Sequence, residues 1–127
     1  MLPNYQGGIF TASRNWAQSN SNTLKSFIKG YIAGLAWCLD NSNYENAKTI
    51  LLENMPTIKP AAVDQVLSKT LSETTGLTPK AKLELTAIQT VLDLRRKFGD
   101  GSGMNPDPLH YIDLSYYNEA LKSLSDQ

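Results

Sequence analysis

Tyr5, Gln6, Gly7 and Gly8 form the first group of residues with a chemical use. They fall together immediately before the apolar run "IFTAS", residues 9–13. Glycines at the start of a strand let the backbone approach a ligand or a crossing strand, and close packing is the competing reason for them. Tyr5 is also one of five aromatics, with Trp16, Trp37, Tyr116 and Tyr117, whose amphipathic rings could line a small-molecule cleft. Trp37 reads more simply as helix-packing surface. Tyr5, Gln6 and Gly7 are therefore the candidate ligand-binding residues, with Gly8 beside them.

Other residue types point away from chemistry. His110, in "DPLHYIDL", is the sole histidine, and Cys38, in "GLAWCLD", is the sole cysteine. A metal site needs several such ligands, so none is expected, and a disulfide within the chain is impossible. Cys38 lies among apolar neighbours with no base or cation close in sequence, which describes a buried inert thiol. No serine stands in a G-x-S-x-G turn. "GDGSG", residues 99–103, follows a helix rather than a strand and lacks a following Lys-Ser/Thr, so it fails as a phosphate loop. Asp100, Ser102 and Asp107 lack the spacing and terminal Glu of a calcium loop. Asp64, Glu73, Glu84 and Asp93 each fit a solvated helix face. Nothing reads as a general acid and base, so the expectation is a protein without catalysis or cofactor.

Composition narrows the partners. In 127 residues, 12 Lys+Arg balance 12 Asp+Glu. Nucleic acid and anionic membranes both select a basic excess, so neither is expected. "RRKF", residues 95–98, is the densest basic cluster and suits the last turn of a helix, where cations meet the negative end of the dipole. No stretch approaches the roughly 20 apolar residues of a membrane span. "MLPNYQGG" has neither a basic nor an apolar segment of a signal peptide, so a product consisting of this chain alone is expected in the cytoplasm.

The elements that must position these residues are mostly helices. "IFTAS" is the one strand candidate, and a lone strand needs neighbours that the chain does not obviously supply. A long helix follows, about 22–40, capped by Ser21 or Asn22. Leu24, Phe27, Ile28, Tyr31, Ile32, Leu35, Ala36 and Leu39 give it one apolar stripe at helical spacing. Gly30 and Gly34 inside it suggest close packing. A second helix is expected over 44–54, capped by Ser42 or Asn43, with Ala47, Ile50 and Leu51 inward. "PTIKP" breaks the chain, and Pro60 starts a third helix with Val63, Val66 and Leu67 apolar. "SETTGL" is a loop. Thr78 and Pro79 open a fourth helix that runs to Phe98, with Leu83, Ala87, Ile88, Val91, Leu92 and Arg95 on one face and Gly99 at its end. A last helix starts near Asp113 or Ser115. The chain alone thus reads as mainly α, with four to five helices and one N-terminal strand, in a single partial domain over 1–127.

The order of these pieces resembles a known family. "YQGGIFTASRNWAQSNSNTLKSFIKGYIAGLAW", then "KAKLELTAIQTVLDLRRKFG" and "YIDLSYYNEAL", is similar to the C-terminal part of periplasmic substrate-binding proteins of ABC transporters. The likeness is to the sulfonate/nitrate/taurine-binding group, which is related to the pyrimidine-precursor synthases of thiamine biosynthesis. It covers nearly the whole chain in order, and the order and spacing carry it rather than any single motif.

The resemblance implies a bilobal α/β fold with a ligand cleft between lobes and a hinge of crossing strands. Residues 1–13 would then hold the crossover strand and 14–127 the helical C-terminal segment. It implies binding of a small solute, delivery to an ABC permease and a periplasmic location for the parent protein. Most cleft residues of that family lie earlier in the chain than this sequence reaches, so only Tyr5, Gln6 and Gly7 carry over. Two alternatives come from other classes: an enzyme related to pyrimidine-precursor synthase, and a free-standing helical module that associates through an exposed apolar face.

Overall fold

A computed structural model describes residues 5–72 and 76–125 of the chain. Among them are six helices and no strand. These are α1 (Arg14–Ser19), α2 (Ser21–Leu39), α3 (Tyr44–Asn54), α4 (Val63–Thr70), α5 (Leu85–Phe98) and α6 (Ser115–Ser125). Single 3-10 turns at Asn41–Asn43, Pro60–Ala62, Pro79–Ala81 and Pro108–His110 lie between them. The mainly α expectation therefore holds. Residues 1–4, the 73–75 part of the "SETTGL" loop with Glu73, and 126–127 lie outside the described residues.

The expected strand at 9–13 does not form. A strand is stable only when a neighbour takes its backbone donors and acceptors. The described residues offer none, and Ile9 and Phe10 stay 57% and 69% exposed. Ser13 turns the chain into a helix instead. Its Oγ accepts a hydrogen bond from the Trp16 amide at 3.3 Å and so caps α1, which the sequence reading missed. Phe10 rests edge-on against Phe27 of α2, with ring centroids 5.3 Å apart.

The expected helix from Pro79 to Phe98 is also two pieces. Lys80 and Ala81 both take the left-handed conformation, with φ of 57° and 54°. A right-handed helix cannot pass through such residues. The Pro79 turn therefore ends, and α5 begins only at Leu85, where the Glu84 carbonyl accepts from the Ala87 and Ile88 amides. At its other end, Gly99 closes α5 by donating to the Arg95 carbonyl at 2.9 Å, with an extended backbone.

The chain falls into two compact units. One holds 5–28 and 83–125 of the described residues, the other 29–82. In the first, Ala17, Ala87, Leu92 and Ala120 are buried. Lys25 Nζ donates to Glu119 at 3.0 Å, and Arg14 donates to the His110 carbonyl at 3.3 Å. In the second, Ile32, Leu35, Ala47, Val63 and Leu67 are buried, and Val63 is wholly enclosed.

The expected apolar faces are covered only in part. Of the α2 stripe, Ile32 and Leu35 are buried, but Phe27, Tyr31 and Ala36 are exposed. Ile50, expected inside α3, is 50% exposed, and Arg95 of α5 is exposed as well. Gly30 and Gly34 were expected to mark close packing. Among the described residues, no atom outside the helix's own backbone lies within 4 Å of where a Cβ would sit on either, so the described packing does not account for them.

Burial sets the first prediction. Val63→Ala removes enclosed methyl groups and should lower the stability of the 29–82 unit by about 2 kcal/mol, whereas Ile50→Ala should cost under about 0.5 kcal/mol. Urea unfolding followed by circular dichroism reads the difference. The left-handed pair gives a second. Ala81→Gly should raise stability by about 1 kcal/mol at most, read as a higher urea midpoint, because glycine adopts that conformation without the Cβ penalty.

Candidate functional site

Tyr5, Gln6, Gly7 and Gly8 lie in the irregular segment ahead of α1. The segment folds on itself locally. Gln6 Nε2 donates to the Gly8 carbonyl at 3.1 Å, and the Tyr5 ring lies 3.8 Å from where a Gly7 Cβ would sit. The four candidates are thus held together on the surface, with Tyr5 52% exposed. Gly8 has open space around it. A ring, an amide and bare backbone are groups that can stack on and hydrogen-bond a small solute. Trp16 and Trp37 are exposed on α1 and α2, and Tyr116 and Tyr117 are half-buried on α6.

The remaining polar candidates serve the backbone. His110 ends a 3-10 turn, with its ring edge-on to Tyr111 at 5.0 Å. Asp100 Oδ1 accepts from the Ser102 amide at 3.1 Å and the Ser102 hydroxyl at 2.6 Å. Asp113 repeats this with Ser115, at 2.9 and 2.6 Å, and so starts α6. In both cases the serine hydroxyl and then its amide hold the carboxyl below its ordinary range. Among the described residues, no three His, Cys, Asp or Glu side chains are grouped to hold a metal ion, and no helix is long and apolar enough to cross a membrane.

Sequence reasoning missed one charged cluster in the 29–82 unit. Tyr44 and Lys48 stand one turn apart on α3 and face Asp64 in the first turn of α4. Lys48 Nζ donates to both carboxylate oxygens, at 2.7 and 2.9 Å, and the Tyr44 hydroxyl donates to Oδ1 at 3.0 Å. The i, i+4 spacing of Tyr44 and Lys48 was the available signal. Nothing local marked Asp64 as their partner, because a proline-bounded turn separates the two helices.

The cluster fixes charge states rather than preparing a reaction. The bonds from Lys48 and then Tyr44 hold the Asp64 carboxyl below its ordinary range. The bond to Asp64 pushes the Lys48 ammonium up. Desolvation first, then the bond to Asp64, pushes the Tyr44 phenol up. Each group moves away from neutrality, whereas a general acid or base needs to sit near it. Next to the cluster is an open hollow of about 530 Å³, lined by Cys38, Asp40, Tyr44, Leu67, Leu71 and Leu77 among others. Asp40 already accepts from the Ser42 amide at 2.9 Å. The arrangement is a tie between α3 and α4.

Comparison of the chain with protein-family models, with curated proteins and with solved structures finds no match in any of the three.

The tie makes stability depend on pH. A carboxyl whose folded pKa is depressed stabilises fully above its unfolded value and loses that contribution as pH falls through the folded one. The urea midpoint of the 29–82 unit should therefore fall below about pH 4, from the 3.8 of an ordinary aspartate downward. Asp64→Asn should flatten that acid limb. At the alkaline end the raised groups act oppositely, and the stability from Lys48 and Tyr44 is lost as pH climbs past their ordinary values. A limb unchanged by Asp64→Asn would assign the acid sensitivity to the other aspartates.

Proposed function

We propose that this chain is the C-terminal segment of the solute-binding component of an ABC importer. The solute is a small anion or organic compound of the sulfonate, nitrate or taurine kind. The observation that carries the reading is the ordered resemblance. A Y-Q-G-G run, an extended apolar segment, Arg14 with "NWA", a long helix and two closing helices follow one another over nearly the whole chain.

Three features are in keeping with it. The segment at 9–13 has no sheet partner among the described residues, and its Ile9 is 57% exposed, in keeping with a strand whose sheet the rest of the parent would supply. The balanced charge suits a protein that meets a small solute rather than a polyanion. The carboxylates described above are engaged in caps and in the α3–α4 tie, which fits binding without bond making or breaking.

In this reading Tyr5, Gln6 and Gly7 form one wall of the cleft. The Tyr5 ring stacks on the solute, the Gln6 amide donates to it, and Gly7 lets the backbone approach. The opposing wall comes from the earlier part of the parent. The parent works in the periplasm and passes its solute to the permease.

Calorimetry tests the proposal at two levels. The 127-residue chain alone should give no heat of binding with taurine or nitrate at micromolar concentration, because it holds one wall only. The parent protein, expressed from a gene that continues in frame upstream of the Met1 codon, should bind one of these solutes, and Tyr5→Ala should weaken binding at least tenfold. A stop codon directly upstream, or binding that Tyr5→Ala leaves intact, would sink the reading.

A further inference from the structure

"GDGSG", residues 99–103, has the pattern of neither a phosphate nor a calcium loop, and it holds the one Asp-Gly pair of the chain, Asp100–Gly101, with no Asn-Gly pair elsewhere. An aspartyl side chain ahead of glycine can close on its own backbone. The carboxyl carbon reaches the next amide nitrogen through a five-membered ring, and glycine has no side chain to shield that nitrogen.

Three observations bear on this pair. Asp100 and Ser102 are exposed just beyond α5, so water reaches the site. Gly101 is fixed as glycine by packing. A Cβ there would lie 2.7 Å from Cα of Arg96 and 3.3 Å from its Cβ, so a larger residue would displace the loop from the last turn of α5. The packing beyond α5 therefore carries the susceptible pair with it. The Asp100 carboxyl is also held by one neighbour. Its Oδ1 accepts from the Ser102 amide at 3.1 Å and from the Ser102 hydroxyl at 2.6 Å. These two bonds, with the nearby Arg95 charge, keep the carboxyl ionised. An ionised carboxylate is a poor electrophile, and one tethered to residue 102 is not free to turn onto the amide of residue 101.

We propose that Asp100–Gly101 is a site of spontaneous succinimide and isoaspartate formation, and that Ser102 is the brake on it. The inference stands on this loop and does not rest on the solute-binding reading. The Gly101 nitrogen attacks Cγ of the protonated carboxyl. The N–Cγ bond forms and a Cγ–O bond breaks. The oxygen leaves as water, carrying the amide proton and the carboxyl proton. A water then opens the ring. Addition at Cγ restores aspartate. Addition at the former main-chain carbonyl leaves Gly101 joined through the side chain of residue 100, as isoaspartate. One water is released and one consumed. The product has an extra carbon in the main chain ahead of Gly101, which shifts that residue off its seat against Arg96.

The 127-residue chain, incubated warm at neutral pH in heavy-oxygen water, tests this. Trypsin cuts after Lys97 and Lys122, so residues 98–122 leave as one peptide. A second chromatographic form of that peptide should appear. It should carry one heavy oxygen, accept methyl groups from a protein isoaspartyl methyltransferase, and map to residue 100 by electron-transfer fragmentation. Ser102→Ala should form it several-fold faster. Ser102→Thr, which keeps both donors, should match the unsubstituted chain, and circular dichroism checks that both variants stay helical. A synthetic peptide of residues 98–104, which lacks the fold, should convert faster than the chain. Asp100→Glu, which would need a six-membered ring, should give no such form. Absence of the form from the chain and from Ser102→Ala overturns the site. A Ser102→Ala rate no faster than that of Ser102→Thr overturns the brake.

Discussion

The structure depends on one long helix with almost no charge. α2 runs from Ser21 to Leu39, and its only ions are Lys25 and Lys29. A helix of that length with a single narrow polar side is stable in water only when more than one of its faces is covered. It shares its length between the two compact units, Ser21–Ile28 in one and Lys29–Leu39 in the other. Ile32 and Leu35 are enclosed, while Gly30, Gly34 and Trp37 are exposed. The buried core along α2 is correspondingly thin.

Local polar bonds do much of the ordering that a larger core would do elsewhere. Ser13, Asp40, Asp107 and Asp113 each accept from a backbone amide where a helix or turn begins. These bonds fix the ends of short elements at little entropic cost, because their partners lie two or three residues apart. They also engage the carboxylates. An aspartate held by a serine hydroxyl and amide is kept ionised to lower pH than a free one. The α3–α4 tie through Asp64 acts in the same sense over a longer separation. These carboxylates are engaged in ordering the chain.

In the function proposed above, a solute-binding component needs a rigid wall, a counter-wall and a way to bring them together, and this chain is proposed to supply one wall. The Tyr5–Gly8 segment is short, polar at its tip and apolar behind, with Phe10 anchored on Phe27. A segment so placed is ordered by what packs against it more than by its own hydrogen bonds.

The sequence by itself determined the helical class, the limits of α3, the end of α5 and the start of α6. Those signals are local: apolar spacing at 3.6, Pro60 in a first turn, Asp113 two residues before an amide it can bind. Tyr5, Gln6 and Gly7 were legible as a group because they are adjacent. Tertiary structure decided the rest. Whether "IFTAS" pairs as a strand depends on donors and acceptors beyond its own residues, and the described chain offers none. Whether Pro79 begins α5 depended on Lys80 and Ala81, whose left-handed turn no propensity signals, since neither is glycine. The bond from Lys48 and Tyr44 to Asp64 was hidden because it crosses a turn between two helices. Which face of α2 is enclosed was likewise decided in three dimensions, because an apolar stripe states that a face seeks cover and does not state what will cover it.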